Sequence, residues 1–154
     1  MEESPLARQV ADELKGHITA SVNSIRDGKY QDAYKHLSQA LSLTELLEYN
    51  AGSAMVLYNL ANLHAISGEK VAALETATCA LKKAQISHSD IPSHQKLVQQ
   101  LLLEVQKDGA DCVKNKDYRG ALSCFEVALT YAPEEKKALL ERQIVLLRRV
   151  LNGR

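Results

Sequence analysis

Residues 28–41 read GKYQDAYKHLSQAL, and the same pattern returns as GEKVAALETATCAL at residues 68–81 and as KDYRGALSCFEVAL at residues 116–129. Each copy begins with a turn and continues with apolar residues at helical spacing. Small residues recur in register, with alanine at 33, 73 and 121 and again at 40, 80 and 128. Because alanine lets two helices approach closely, the pattern predicts three copies of a tightly packed helical hairpin. Between neighbouring hairpins it predicts that larger side chains fill the space, namely Tyr30, Leu37, Tyr118 and Phe125.

Turn and capping signals extend this prediction to the rest of the chain. Ser4-Pro5 is typical of a helix start, and Pro133-Glu134-Glu135 places proline and acids at the first turn of another. Asn50 and Gly52 are interpreted as a break, 86–93 as the longest loop and Asn152-Gly153 as a left-handed cap. No segment favours a strand. The predicted helices cover 5–26, 30–49, 55–66, 71–85, a segment carrying 97–113, 118–131 and 134–151.

On these residues the chain resembles the tetratricopeptide repeat family. That family has a helical hairpin of about 34 residues with a turn glycine, conserved small and aromatic positions and a closing proline. Here the turns lie 40 residues apart (28 to 68) and then 48 (68 to 116), so the likeness is to the longer-period type of kinesin light chains and polarity scaffolds. The resemblance implies an all-α, right-handed solenoid in one domain, 5–152, built from repeats at about 14–47, 54–87 and 102–135 and a C-terminal helix at 134–151. The first helix of each hairpin, helix A, matches the family pattern well in the second repeat. In the first repeat helix A departs from the family pattern at His17, Ala20 and Ser21.

Composition excludes several classes of function. The 19 basic residues balance 19 acidic ones, which argues against a general nucleic-acid or anionic-membrane binder. No apolar run approaches the roughly 20 residues of a membrane span, and the first ten residues lack the basic start of a secretory signal. Three cysteines without metal-ligand spacing, Cys79, Cys112 and Cys124, favour buried free thiols in a reducing compartment. The sequence therefore predicts a cytoplasmic protein.

Chemistry-bearing residues are dispersed along the chain. The five histidines, at 17, 36, 64, 88 and 94, lie on different elements, and none forms a recognisable metal or nucleophile motif. The paired carboxylates Glu134 and Glu135 are explained by the helix dipole. No phosphate-binding glycine loop is present. We therefore expect a protein that is not an enzyme and that needs no cofactor or metal.

The resemblance also implies a concave groove lined by the first helix of each hairpin. The first repeat contributes Lys15, Ile18, Thr19, Val22 and Arg26; the second contributes Met55, Tyr58, Asn59, Asn62 and Ile66; the third contributes Leu103, Gln106, Lys107, Ala110 and Lys114. Four of these are basic and none is acidic, which favours an acidic or amphipathic peptide or helix as the ligand. Asn59 carries an amide that core packing explains poorly. The alternative is that some of these positions belong to the core of a short array.

The sequence therefore favours a non-catalytic protein–protein interaction adaptor. The alternatives are a structural subunit that uses convex or terminal surfaces, an enzyme or small-molecule binder with an unrecognised site, and a chaperone cochaperone. Cochaperones of the family hold acidic C-termini with a clamp of Lys, Asn and Arg. The corresponding positions here are Ile18, Val22, Asn59, Leu103 and Lys107. Only Asn59 matches fully, which disfavours this alternative.

The C-terminal helix carries two apolar stripes about 100° apart. Leu140, Ile144, Leu147 and Leu151 form the first, and Leu139, Leu146 and Val150 form the second. The favoured interpretation is a monomer in which this helix caps the third hairpin and buries both stripes. In the alternative, the second stripe joins another chain.

Overall fold

The computed structural model describes residues 4–153, and in this part of the chain it shows seven α-helices and no strand. The all-α prediction is confirmed. The helices are α1 (Pro5–Arg26), α2 (Tyr30–Leu46), α3 (Asn50–Ile66), α4 (Lys70–Ser87), α5 (Ile91–Lys114), α6 (Tyr118–Tyr131) and α7 (Glu134–Asn152).

The predicted break at Asn50 and Gly52 is wrong. Helix α3 begins at Asn50, and Gly52 is buried inside it. A Cβ at this position would lie 2.6 Å from Cδ2 of Tyr49 and 2.8 Å from Cγ2 of Thr44. Gly52 therefore serves close packing against the preceding turn, and that use of glycine looks the same in sequence as a helix break.

Four connections share one three-residue turn. Its middle residue has a positive φ at Gly28, Glu48, Gly68 and Lys116 (75°, 52°, 83° and 61°). In each turn the next backbone N–H donates to a carbonyl five residues earlier, for example from Tyr49 to Thr44 at 2.8 Å. This is the hydrogen bond that closes a helix with a left-handed cap. The turn at Glu48 was not predicted because glutamate stands where this geometry usually selects glycine.

Burial recurs in register in all three hairpins, at the positions that the alignment of the copies predicts. At equal distances before each turn the buried residues are Leu14, Ala54 and Leu102, and then Ser21, Ala61 and Gly109. After each turn the buried residues are Ala33, Ala73 and Ala121, then Leu37, Ala77 and Phe125, then Ala40, Ala80 and Ala128. Gly109 faces Phe125 closely, since an added Cβ would lie 3.0 Å from the ring. The first hairpin keeps the register although its helix A departs from the family pattern.

Three other local predictions are corrected. The loop predicted at 86–93 shrinks to residues 88–90, because Pro92 lies in the first turn of α5, where its missing N–H costs little. Gly153 ends α7 with φ −87°, which is not a left-handed cap. Helix α2 ends at Leu46 and not at Tyr49.

The structure divides into two compact units, the first ending at Gln95 and the second beginning at Lys96, whereas the sequence predicts one domain, 5–152. In the first unit α1 to α4 pack in sequence, and α1, α2 and α3 enclose a core. Its buried members are Leu14, Ala33, Leu37, Ala40, Val56, Leu60 and Leu63. In the second unit α6 packs against α7 and, through Phe125, against Gly109 of α5.

Candidate functional site

None of the fifteen predicted groove residues on α1, α3 and α5 is buried. Ten are exposed and five are half-buried. The exposed ones are Lys15, Thr19, Val22, Arg26, Met55, Ile66, Leu103, Lys107, Ala110 and Lys114; the half-buried ones are Ile18, Tyr58, Asn59, Asn62 and Gln106. Ile18 packs against the core of the first unit, so this position contributes to the fold as well as to the surface. The alternative was that some of these positions belong to the core of a short array. It is wrong for the exposed positions.

Asn59 has a partner within its own helix. Its Nδ2 donates to the backbone carbonyl of Met55 at 2.9 Å. Asparagine side chains within helices often donate to the backbone carbonyl one turn earlier, and this is a local hydrogen bond. The amide is therefore less free to bind a ligand than the sequence suggested.

Met55 and Tyr58 line a cavity of about 270 Å³ in the first unit, together with Asp90 and His94. His94 is only 6% exposed and stands edge-on to the Tyr58 ring, with centroids 5.2 Å apart. Burial lowers the pKa of His94, an effect that the nearby Asp90 carboxylate opposes. Its Nδ1 is buried without a hydrogen-bond partner. The neutral, aromatic character of this imidazole suits packing.

The second unit carries a more apolar cavity of about 420 Å³ between α5 and α7. Ala110, Val113 and Lys114 line it from α5, Leu146 lines it from α7, and Phe125 of α6 is also part of its wall. The faces of α5 and α7 that border this cavity are therefore not packed against each other.

The two apolar stripes of α7 have different surroundings. Leu140, Ile144 and Leu147 of the first stripe are buried and Leu151 is half-buried, whereas Leu139, Leu146 and Val150 are exposed. The prediction that both stripes are buried is wrong. Packing of α7 against α6 accounts for the buried stripe, and no helix described between residues 4 and 153 covers the second.

Exposed cations accompany the apolar residues on both helices. On α5, Leu103, Lys107, Ala110 and Lys114 fall within an arc of about 60° and are all exposed. On α7, the residues of the second stripe lie within an arc of about 100°. The same arc contains two basic residues, Arg142 and Arg149, and one acidic residue, Glu135. We call these two arcs, with Val113 of the cavity beside them, the α5–α7 surface. Its residues are Leu103, Lys107, Ala110, Val113, Lys114, Glu135, Leu139, Arg142, Leu146, Arg149 and Val150.

The predicted burial of the cysteines is partly wrong. Cys79 is exposed, while Cys112 and Cys124 are half-buried, and all three are free. Burial raises the pKa of the Cys112 and Cys124 thiols, and the carboxylates of Asp108 and Asp117 raise both further. Both thiols are therefore less ionised at neutral pH than ordinary cysteines, which makes them poorer nucleophiles. Within residues 4–153, no three His, Cys, Asp or Glu side chains are grouped to hold a metal ion.

A third cavity, of about 540 Å³, lies in the first unit where α2 begins and α3 ends. Tyr30, Tyr34, His64 and Glu69 line it. Tyr30 was predicted to fill the space between neighbouring hairpins, but it is 40% exposed, and Tyr34 is 51% exposed. The two rings leave the core because Ala33 and Leu37 already occupy the buried face of α2.

No family model matches the chain, and neither the curated proteins nor the solved structures contain a significant match. None of the helices described between residues 4 and 153 is both long enough and apolar enough to cross a membrane.

Proposed function

We propose that the chain is a non-catalytic protein–protein interaction adaptor built from three tetratricopeptide-like hairpins in a right-handed array. Its ligand is a peptide or helix with acidic and apolar residues. The recurrence of burial in register supports the repeat interpretation. The odd number of cysteines favours the cytoplasm as the place of action.

The observation that carries the proposal is the exposed apolar cavity of the α5–α7 surface. Single exposed leucines are ordinary on protein surfaces. Here, however, Ala110, Val113 and Leu146 line one concave site, and Leu103 on the same arc of α5 is 55% exposed. Concave, contiguous apolar surface is typical of binding sites for other chains. An amphipathic helix binds such grooves through apolar anchors spaced along one face.

The charged residues around the apolar cavity indicate the sign of the charge that the partner carries. Lys107, Lys114, Arg142 and Arg149 are exposed on the α5–α7 surface. Acidic residues beside the apolar anchors of a ligand would be attracted to them, which mainly accelerates association and weakens with added salt. Because the chain as a whole is neutral, this attraction is local to the surface.

A structural subunit of a larger complex is the second candidate, and the exposed stripe of α7 favours it. The α7 arc carries two exposed cations, Arg142 and Arg149, and one acid, Glu135, so two copies that met through this stripe would bring together a net excess of positive charge. We therefore expect light scattering to report a monomer for the isolated chain. An adaptor should also bind a short linear peptide, whereas a subunit should require a folded surface.

The test is quantitative affinity purification of partners with a charge-reversed double variant. Lys107→Glu with Lys114→Glu should abolish recovery of the main partner and remove the salt dependence of its binding. The matched control is Lys35→Glu with Lys82→Glu, because both lysines are exposed and the change in net charge is the same. Lys83 is a poorer control, since its Nζ lies 3.4 Å from Oδ1 of Asn50.

The two outcomes separate the faces of the molecule. Loss in the first variant alone supports the α5–α7 surface as the binding site. Loss in the control variant alone would move the interface to other helices and overturn the proposed site.

A further inference from the structure

The cavity at the start of α2 has walls of one electrostatic character. Tyr30 and Tyr34 are one helical turn apart, so their side chains lie next to each other on the same face. His64 meets Tyr34 edge-on, with ring centroids 6.1 Å apart. The carboxylate of Glu69 lies 3.6 Å from Nδ1 of His64, and the Glu69 side chain is 62% exposed. Two tyrosine rings and a carboxylate therefore border the same space.

These walls favour a cation over other ligands. The face of a tyrosine ring is electronegative and attracts an ammonium or guanidinium group placed over it. Glu69 supplies a formal negative charge, and no lysine or arginine lines the cavity among the described residues. Lys35 points away from the tyrosines, about 100° around the helix from Tyr34. An acidic group would meet repulsion here, and a purely apolar group would gain no attraction from the carboxylate.

We propose that this cavity binds an arginine side chain of a partner protein. A planar guanidinium stacks on a tyrosine ring and presents its edge N–H donors to a carboxylate, whereas a lysine ammonium does not offer both contacts in one plane. Glu69 is the acceptor, and Tyr30 and Tyr34 are the stacking surface. This site is separate from the α5–α7 surface in its helices and in the charge that it selects, so it goes beyond the proposed function.

The site can be tested with a minimal ligand on the full chain. Backbone amide NMR signals of the ¹⁵N-labelled protein are followed during titration with N-acetyl-arginine amide. We expect saturable shifts confined to residues 30–34 and 63–69. The neutral isostere N-acetyl-citrulline amide should produce no saturable shift, and the matching α-acetylated lysine amide should bind more weakly than arginine.

Variants assign the contacts. Tyr34→Ala should weaken arginine binding by about two- to fivefold, the range for an exposed cation–aromatic contact, while Tyr34→Phe should keep the affinity of the wild type. Glu69→Gln should weaken binding, whereas Glu75→Gln, at an exposed carboxylate on α4, should leave it unchanged. Because Tyr34 is exposed, its replacement should leave the melting midpoint intact.

Three results would overturn the proposal. They are the absence of saturable shifts with arginine, equal binding of citrulline, and wild-type affinity in Tyr34→Ala. Tighter binding of lysine than of arginine would overturn the choice of guanidinium as the ligand.

Discussion

Helix α7 carries two apolar stripes of nearly the same composition with opposite surroundings. Leu140, Ile144 and Leu147 are 2%, 4% and 6% exposed, whereas Leu139, Leu146 and Val150 are 59%, 55% and 44% exposed. Both stripes repeat at helical spacing, so periodicity alone assigns either of them to a core. The difference comes from neighbours, since α7 packs against α6 with the first stripe buried, whereas the second stripe stays exposed and only its Leu146 borders the cavity between α5 and α7. An apolar stripe in a repeat array therefore marks a contact surface, and only the packing shows whether the contact lies within the chain.

The largest predicted effect follows directly from this contrast. Leu140→Ala removes buried side-chain atoms and should lower the free energy of unfolding by about 2–5 kcal/mol. Leu139→Ala, on the adjacent stripe, should change it by no more than about 0.5 kcal/mol. Urea unfolding of both variants measures the difference. Equal losses would mean that the two stripes are equally buried in solution.

The second prediction concerns the tight contacts in each hairpin. Ala73 is fully buried, so Ala73→Leu should cost about 1–3 kcal/mol, because the helices must separate or the new side chain must take a strained rotamer. Thermal unfolding measures this cost. Ala138→Leu, at an exposed position of α7, is the control and should leave the midpoint nearly unchanged. An unchanged midpoint in Ala73→Leu would contradict the register of the second hairpin.

The third prediction compares turns of the same geometry with different residues. Glu48 has a positive φ of 52° and Lys116 one of 61°, at positions where the other two turns have glycine. Because a left-handed conformation costs a residue with a Cβ about 1–2 kcal/mol, and glycine loses more backbone entropy on folding, Glu48→Gly should stabilise the protein by about 0.5–1 kcal/mol. Gly28→Ala should destabilise it by a similar amount. A loss of stability in Glu48→Gly, or a gain in Gly28→Ala, measured by urea unfolding, would contradict the common turn geometry.

The smallest predicted effect is at Asn59. Its amide donates to Met55 within the helix, and the side chain is only half-buried. Asn59→Ala should therefore change stability by less than about 0.5 kcal/mol. Any loss of partner affinity in this variant should be smaller than that of a charge reversal at Lys107 and Lys114. Calorimetric titration of the purified partner measures that ranking, and the reverse order would place the ligand over α3.

The sequence predicted the features that depend on local chemistry. The bounds of α6 and the start of α7 agree with the structure because proline, acids and turn residues mark them. The packing alanines agree because only a small side chain suits a close helix contact. Gly52 and Glu48 were misinterpreted since glycine serves both turns and close packing, and because a left-handed turn tolerates other residues at a cost. The exposure of Tyr30 and of the second α7 stripe depends on which faces the neighbouring helices pack against. A local sequence pattern does not contain that information.

Leu146 is the residue at which binding of a protein partner to the α5–α7 surface is most sharply tested. Leu146→Glu places a charge in the apolar cavity but outside the core, and Leu46→Glu makes the same change at a residue of α2 that is 81% exposed. Partner recovery by quantitative affinity purification and the melting midpoint are measured for both variants and the wild type. We expect Leu146→Glu to lose the main partner while its midpoint stays that of the wild type, and Leu46→Glu to retain both. Full recovery of the partner by Leu146→Glu, or a large drop in its midpoint, would overturn the α5–α7 surface as the binding site.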